Sequence, residues 1–286
     1  MTTPRDHPTE PRLIAIDLDG TLLDGDGRVT ERTVAAVRSA AQAGHRIVVA
    51  TGRPPSVAFP ATRALAGLAS HIVGANGTII ATFPDHEQQS ETIRIRGFPM
   101  DHAVEFVNAL RGRDADFGFA IATDAGFAHE RGFADLMPAA VGSDHVADVL
   151  DLGGTTAFKL LVFHPHISLD RLLIELPPVI AAVADGFAVR HMGADAAEIG
   201  PVDDDKCAGL QWLCAHLGVD ASQVVAIGDE LNDVRMIEWA GHGVAVANAD
   251  AAVITAADEV IGSYLDDGVA RFLEGLVAGG DTASNP

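Results

Sequence analysis

Leu13-Ile14-Ala15-Ile16-Asp17-Leu18-Asp19-Gly20-Thr21 runs from an apolar stretch into two carboxylates and a glycine. A short continuous apolar run reads as a buried strand of a parallel sheet. Two carboxylates two residues apart at its end can face one cavity if the chain stays extended, and Gly20 lets the backbone turn. A carboxylate is a competent nucleophile toward phosphorus, giving an acyl phosphate that water later hydrolyses. A second carboxyl beside it can protonate the leaving oxygen and then deprotonate water. The plain alternative is a calcium loop, which needs an acid at the fifth position and Glu at the twelfth. Counted from Asp17 these are Thr21 and Arg28, so that reading fails.

Outward from this stretch the pattern repeats. Glu31–Ala43 has helical character and stops at Gly44, a plausible C-cap. Arg46–Ala50 is a second buried strand ending in Thr51, and His71–Val73 a third ending near Asn76-Gly77. Late in the chain, Lys206–Leu217 carries Leu210, Leu213, Cys214 and Leu217 on one helix face, and Gly218 ends it. Val224–Ile227 is a strand ending in Gly228-Asp229, followed by Gly243–Ala247 and Glu259–Ile261. This β-α-β rhythm is that of a doubly wound parallel sheet. The middle differs. Thr92–Ile95 and Phe158–Phe163 read as strands, with Val189–His191 as the last one. Ala103, Val104, Val107 and Leu110 form one helix face; Leu169, Leu172, Leu173 and Leu176 form another, closed by Pro177-Pro178. The expected fold is α/β: a Rossmann-like parallel core from residues 12–81 and 195–275, an α+β cap domain inserted over 82–194, and flexible termini at 1–11 and 276–286.

The 286 residues fit two domains, and 48% hydrophobic content is enough for a large core. A net charge of −21 disfavours nucleic acid and anionic membranes as partners. A phosphorylated ligand would then need local positive charge from a metal, a few basic side chains and helix N-termini. Cys207 and Cys214 share the expected helix, which sets them roughly 10 Å apart at about 1.5 Å rise per residue; a disulfide needs about 7 Å or less. Reduced thiols fit a cytoplasmic protein. The first ten residues are polar, neither signal peptide nor anchor, and no apolar run reaches the ~20 residues of a membrane span. A monomer or small homo-oligomer is expected.

Three further segments carry chemistry at strand or helix ends, which in a parallel sheet open onto one crevice. Thr51-Gly52-Arg53-Pro54 offers a hydroxyl and backbone N–H groups to a phosphoryl oxygen, or forms an ordinary ST-turn before a helix. Lys206 starts a helix, where the dipole disfavours a cation; it is either a solvated lysine or one that holds a nucleophile and a phosphoryl group. Gly228-Asp229-Glu230-Leu231-Asn232-Asp233 suits an oxygen-liking cation such as Mg²⁺. Helix capping by Asp229 or Asn232 explains some of these residues, but clustered anions beside Asp17 and Asp19 repel unless a cation lies between them.

Together these segments resemble the haloacid dehalogenase-like hydrolase superfamily, whose four motifs occur here in order: DLDGT at 17–21, Thr51 after a hydrophobic strand, Lys206, and GDELND at 228–233. More narrowly the chain is similar to the Cof-type phosphatases, subclass IIB with a C2-type cap. ATGRP, Asn76-Gly77, Glu198-Ile199, GVAVANA and Asp267-Gly268-Val269-Ala270 support this. The resemblance implies a Mg²⁺-dependent phosphatase of a small phosphorylated metabolite, a sugar phosphate or a cofactor phosphate. It makes Asp17 the nucleophile and a metal ligand. Asp19 becomes the general acid/base, with its backbone carbonyl on the metal, and Asp229 the third ligand. Thr51 and Lys206 stabilise phosphoryl oxygens and nucleophile. Gly52 and Arg53 lie near the phosphate, Asn232 contacts the phosphoryl or substrate side, and Asp233 orients Lys206 or metal-bound water. Two positions depart from the pattern: Cys207 stands where glycine is usual, and Glu230 where a small or amide residue is. A phosphomutase or glycoside-phosphate phosphatase of related cap type is the enzymatic alternative. A non-catalytic phospholigand-binding regulator is the alternative of another class, opposed by the complete motif set.

Other signals are read as structural. His164-Pro165-His166 lacks an evident third metal ligand. His129, Arg131 and His191 fall in the cap without a motif. Phe117, Phe119, Phe127 and Phe133 read as cap core, and Asp24, Asp26 and Asp203–Asp205 as solvated loops. For Arg53 a structural salt bridge remains open beside the phosphate contact.

Overall fold

The computed structural model describes residues 12–85, 88–123, 125–136, 144–191 and 195–281. The strand β1 (Leu13–Ile16) is buried along its length and lies between two parallel neighbours, β2 (Arg46–Ala50) and β13 (Val224–Gly228). The sheet extends through β14 (His242–Val246) and β15 (Glu259–Ile261) on one side. On the other side come β3 (Ala69–Gly74), β4 (Ile79–Thr82) and β5 (Thr92–Ile95). All pairs from β15 to β3 are parallel, and β4 returns antiparallel to β3. That return strand was not anticipated: it follows Asn76-Gly77 at hairpin distance.

Successive residues of a strand point to opposite faces, and here both faces are apolar. Ile14, Ile16, Val49, Ile72 and Val225 enter one core with Val37 of α1 (Glu31–Gln42) and Leu273 of α9 (Gly268–Asp281). Leu13, Ala15, Val48 and Val73 enter the other with Leu210 and Leu213 of α6 (Lys206–Leu217) and Ile237 of α7 (Val234–Trp239). This is the doubly wound arrangement the apolar runs implied. Both cysteines are buried, free thiols in the second core, and burial raises Cys214 to about 12.

The chain divides into two units, residues 1–94 with 206–286, and residues 95–205. The second unit has its own mostly antiparallel sheet. Its order is β11 (Phe187–His191), β12 (Ala197–Pro201), β10 (Thr156–Phe163), β7 (Gly118–Thr123), β8 (Gly126–His129) and β9 (Asp144–His145), with β6 (Phe98–Pro99) against β10. α3 (Met100–Arg111) and α5 (Leu169–Val183) cover one face, burying Phe106, Leu172 and Ile180 against Phe119, Leu160 and Ile199. Phe117, Phe119 and Phe133 are buried here, with Phe127 packed beside Phe133, as core residues.

The division lies about a dozen residues later at each junction than expected: most of β5 belongs to the first unit, and β12 to the second sheet. α5 does not stop at Pro177-Pro178 but continues to Val183. Both prolines face solvent, while Val179 and Ile180 behind them are buried. That apolar burial offsets the backbone hydrogen bonds the prolines cannot make. α9 runs to Asp281, so the expected tail from 276 begins inside a helix; residues 1–11 and 282–286 lie outside the described residues. Among the described residues no helix is long and apolar enough to cross a membrane.

Candidate active site

The three strands that carry Asp17, Thr51 and Asp229 at their carboxyl ends are neighbours, in the order β13-β1-β2. Asp17 leaves β1 with its N–H still bonded to the Ile227 carbonyl, 2.9 Å. Lys206, at the first position of α6, is 2% exposed. Its Nζ donates to Asp17 Oδ1 at 2.5 Å and to Asp233 Oδ1 at 2.8 Å. The solvated-lysine reading is therefore overturned. Burial opposes the ammonium, but Asp17 and Asp233 outweigh it and raise its pKa, so Lys206 stays protonated.

Asp233 is the keystone of the 228–233 loop. Its Oδ2 accepts from the Asp229 and Glu230 N–H groups, both at 3.1 Å. Capping here falls to Asp233 reaching back, not to Asp229 or Asn232. The loop closes on Gly228, where a Cβ would lie 2.5 Å from Asp233 Cγ. Thr21 Oγ1 donates to Asp229 Oδ1 at 2.9 Å, tying the first acidic loop to the last. Between them Gly20 has φ +77°, and a Cβ there would stand 2.2 Å from Asp229 Oδ2. Asn248, in the loop after β14, donates from Nδ2 to the Gly20 carbonyl at 2.8 Å and accepts from Tyr264 N–H at 3.2 Å.

Asp17, Asp229 and Asp233 each offer a carboxylate oxygen within 4.8 Å of the others. Three acids face one ammonium. Burial first, then Asp233 and Asp229, push the Asp17 carboxyl well up against the pull of Lys206. Asp229 is raised to about 6, chiefly by burial, with Asp233 and Glu230 adding to it and the Thr21 hydrogen bond opposing. This donor set fits a hard divalent cation, which neutralises the excess charge. Both Asp233 oxygens already accept hydrogen bonds, as do Asp17 Oδ1 and Asp229 Oδ1. The oxygens that accept no hydrogen bond are Oδ2 of Asp17 and Oδ2 of Asp229, and Oδ1 of Asp17, engaged once, keeps a lone pair for a cation.

Asp19 does not join this cluster. Its carboxylate is paired with Arg53, Oδ2 accepting from Nε at 2.8 Å and Oδ1 from Nη2. Thr51 is buried, and its Oγ1 accepts from the Arg53 N–H at 3.1 Å, so the ST-turn is present. Asn76, left-handed at φ 53°, accepts at Oδ1 from Asn232 Nδ2 at 3.2 Å. A Cβ on Gly52 would lie 3.2 Å from that same oxygen. Cys207 packs into the core, and Glu230 is exposed.

Thr21, Asn76 and Asn248 were not singled out as site residues, although all three sit in strings quoted above. Other readings change as well. Asp204 is buried and pairs with Arg96 at 3.4 Å, so it is not a solvated loop residue. His164, with Nε2 3.3 Å from Asp114, stands in a group with Asp114 and Asp116 that could hold a metal ion, so the expected lack of further ligands beside it does not hold. His129 is buried, with Nδ1 beside the Glu130 carbonyl, whereas Arg131 and His191 are exposed.

Residues 14–273 match the family model described as haloacid dehalogenase-like hydrolase. The chain is similar to 5-amino-6-(5-phospho-D-ribitylamino)uracil phosphatase of Bacillus subtilis (strain 168), 30% identical over 93% of this chain and 97% of the relative. It is also similar to HMP-PP phosphatase of Serratia proteamaculans (strain 568), 28% identical over 83% and 84%. A haloacid dehalogenase-like hydrolase from Bacteroides thetaiotaomicron has the same fold, with TM-score 0.80 and 23% identity over 93% of this chain and all of that one. With the family model spanning nearly the whole chain and a relative at this identity end to end, the chain belongs to the haloacid dehalogenase-like hydrolases.

Proposed function

We propose that the protein is a Mg²⁺-dependent phosphatase of a small phosphorylated metabolite, working through an aspartyl phosphate on Asp17. The observation that carries this reading is the buried Asp17, with one oxygen held by Lys206 and the other without a hydrogen bond, at the end of a central strand. Fixing one carboxylate oxygen aims the other at a phosphorus atom. Lys206 places its charge beside the oxygens on which negative charge develops. Thr51 lies on the adjacent strand end, where its hydroxyl can donate to the phosphoryl group while accepting from the Arg53 N–H. Asp19 supplies the proton to the leaving oxygen and later takes one from water. Mg²⁺, held by Asp17, Asp229 and the Asp19 backbone carbonyl, would neutralise charge between phosphate and carboxylates. Asp233 fixes Lys206, and Asn232, braced on Asn76, stands on the substrate side.

The two relatives named above act on different small phosphorylated compounds, which supports a metabolite ester rather than a phosphoprotein. Sugar phosphates and cofactor phosphates are the classes to try first. The test is phosphate release from a panel of sugar phosphates, nucleotides and cofactor phosphates, with Mg²⁺ and with EDTA, for wild type and Asp17→Asn. Release that needs Mg²⁺ and falls roughly 10³-fold or more in Asp17→Asn is expected. Turnover that survives the substitution would remove Asp17 from its role.

A further inference from the structure

Asp19, the acid/base of the proposed reaction, has both carboxylate oxygens engaged by one side chain. Arg53 donates through Nε to Oδ2 at 2.8 Å and through Nη2 to Oδ1, the fork-to-carboxylate pairing. The two partners are anchored differently. The Arg53 backbone is pinned on both sides. Its N–H donates to Thr51 Oγ1 at 3.1 Å, and its carbonyl accepts from Ala75 N–H at 2.8 Å. A Cβ on Gly74 would approach that carbonyl to 3.1 Å. The guanidinium therefore reaches out from a fixed point two residues beyond Thr51. Asp19, in contrast, has a half-exposed side chain, 52%, next to Gly20 at φ +77°. Its carboxylate stands apart from the cluster around Lys206.

Two physical consequences meet here. An ion pair this exposed is weak, because solvent screens it. A phosphoryl dianion offers a guanidinium the same fork geometry with more charge. A phosphoryl group seated at Asp17 thus competes with Asp19 for Arg53 from the better position. While Arg53 holds both Asp19 oxygens, neither is directed at a leaving group.

We propose that Arg53 is an exchange switch for Asp19: it holds the carboxylate while the site is empty, and passes to the phosphoryl oxygens when substrate arrives, freeing Asp19 for proton transfer. This deepens, and rests on, the phosphatase reading above. Only hydrogen bonds exchange in the step; no covalent bond forms or breaks. The switch makes the acid/base available when there is a leaving group to protonate.

The test is a double-mutant cycle read by calorimetry, with inorganic phosphate as probe and the Mg²⁺-loaded protein as wild type, Asp19→Ala, Arg53→Met and the double variant. Far-UV circular dichroism of each verifies folding. If Arg53 must leave Asp19 to take the anion, Asp19→Ala tightens phosphate binding about tenfold or more when Arg53 is present. In the Arg53→Met background it tightens binding about threefold or less. Equal tightening in both backgrounds means that Asp19 acts by charge alone and overturns the switch. Absence of phosphate binding in both wild type and Asp19→Ala overturns it too. Because the cycle needs no turnover, it decides the role of Arg53 separately from the ester panel: a wild type that hydrolyses no ester would sink the phosphatase reading while this result still stood.

Discussion

Lys206 holds together two buried carboxylates that have no other cation among the described residues. Replacing it with Met leaves both acids buried and uncompensated. In the metal-free protein this is expected to cost about 3–5 kcal/mol at neutral pH by urea unfolding. The loss should shrink in acid, where Asp17 takes up a proton. No change in stability would mean that the ammonium barely offsets its own desolvation. Asp229 gives a pH signature. Its pKa rises from 3.8 to about 6 on folding, so the folded state binds the proton more tightly than the unfolded one. The stability this group contributes is full below 3.8 and is lost as pH rises through about 6. In EDTA, the melting temperature of wild type should therefore fall relative to Asp229→Asn over that interval. Mg²⁺ needs the ionised carboxylate, so it should stabilise wild type above pH ~6 and do little near pH 4. A Mg²⁺ effect independent of pH would exclude Asp229 from the cation site. At this scale the sequence displayed the charged groups, because each stands where an apolar run stops. The resemblance implied the pairing of Lys206 with Asp17 and Asp233, but two other pairings were not displayed. Thr21 meets Asp229 across 208 positions, and Arg53 meets Asp19 through a choice of rotamer.

Among the elements, α6 matters most, because it delivers Lys206. Gly209, one turn along, lies against the Asn76-Gly77 turn. A Cβ there would come within 2.6 Å of Gly77 Cα and 2.7 Å of Val73 Cγ1. Gly209→Ala gains up to about 1 kcal/mol of helix propensity, but overpacking backbone against backbone costs about 1–3 kcal/mol. The steric term should win, lowering the urea midpoint and, by displacing Lys206, the turnover number. A stabilised variant would mean that α6 can shift without loss. The spans of β1, β2, α1 and α6 were legible to within a residue, because two-sided burial writes continuous apolar runs and one-sided burial writes a helical stripe. α5 was cut short at its prolines, since a proline signals a break locally while the apolar contacts of Val179 and Ile180 are tertiary. β7 went unread although Phe119–Ala122 is a short apolar run, and β8 is too short to show a pattern.

For the whole molecule, each unit has its own hydrophobic core. The chain's two tryptophans, Trp212 and Trp239, and its one tyrosine, Tyr264, all belong to the first unit. Intrinsic fluorescence therefore reports that unit alone, whereas far-UV circular dichroism reports both. Urea transitions followed by the two signals are expected not to coincide; coincident curves would mean that the units unfold as one. The sequence placed an insertion between the second and third motifs but set its edges too early, because β5 and β12 are as short and mixed as the loops around them.

Pairing in the first sheet also bears on synthesis. Leu13 pairs with Arg46 on one side and with Val224 on the other. At about 5–20 residues per second of translation, roughly 10–40 s separate the emergence of β1 from that of β13. Throughout that interval a strand with two apolar faces has one bare edge on the ribosome. The nascent chain is thus at its most adhesive while its inserted unit is being made, and is relieved only when β13 arrives.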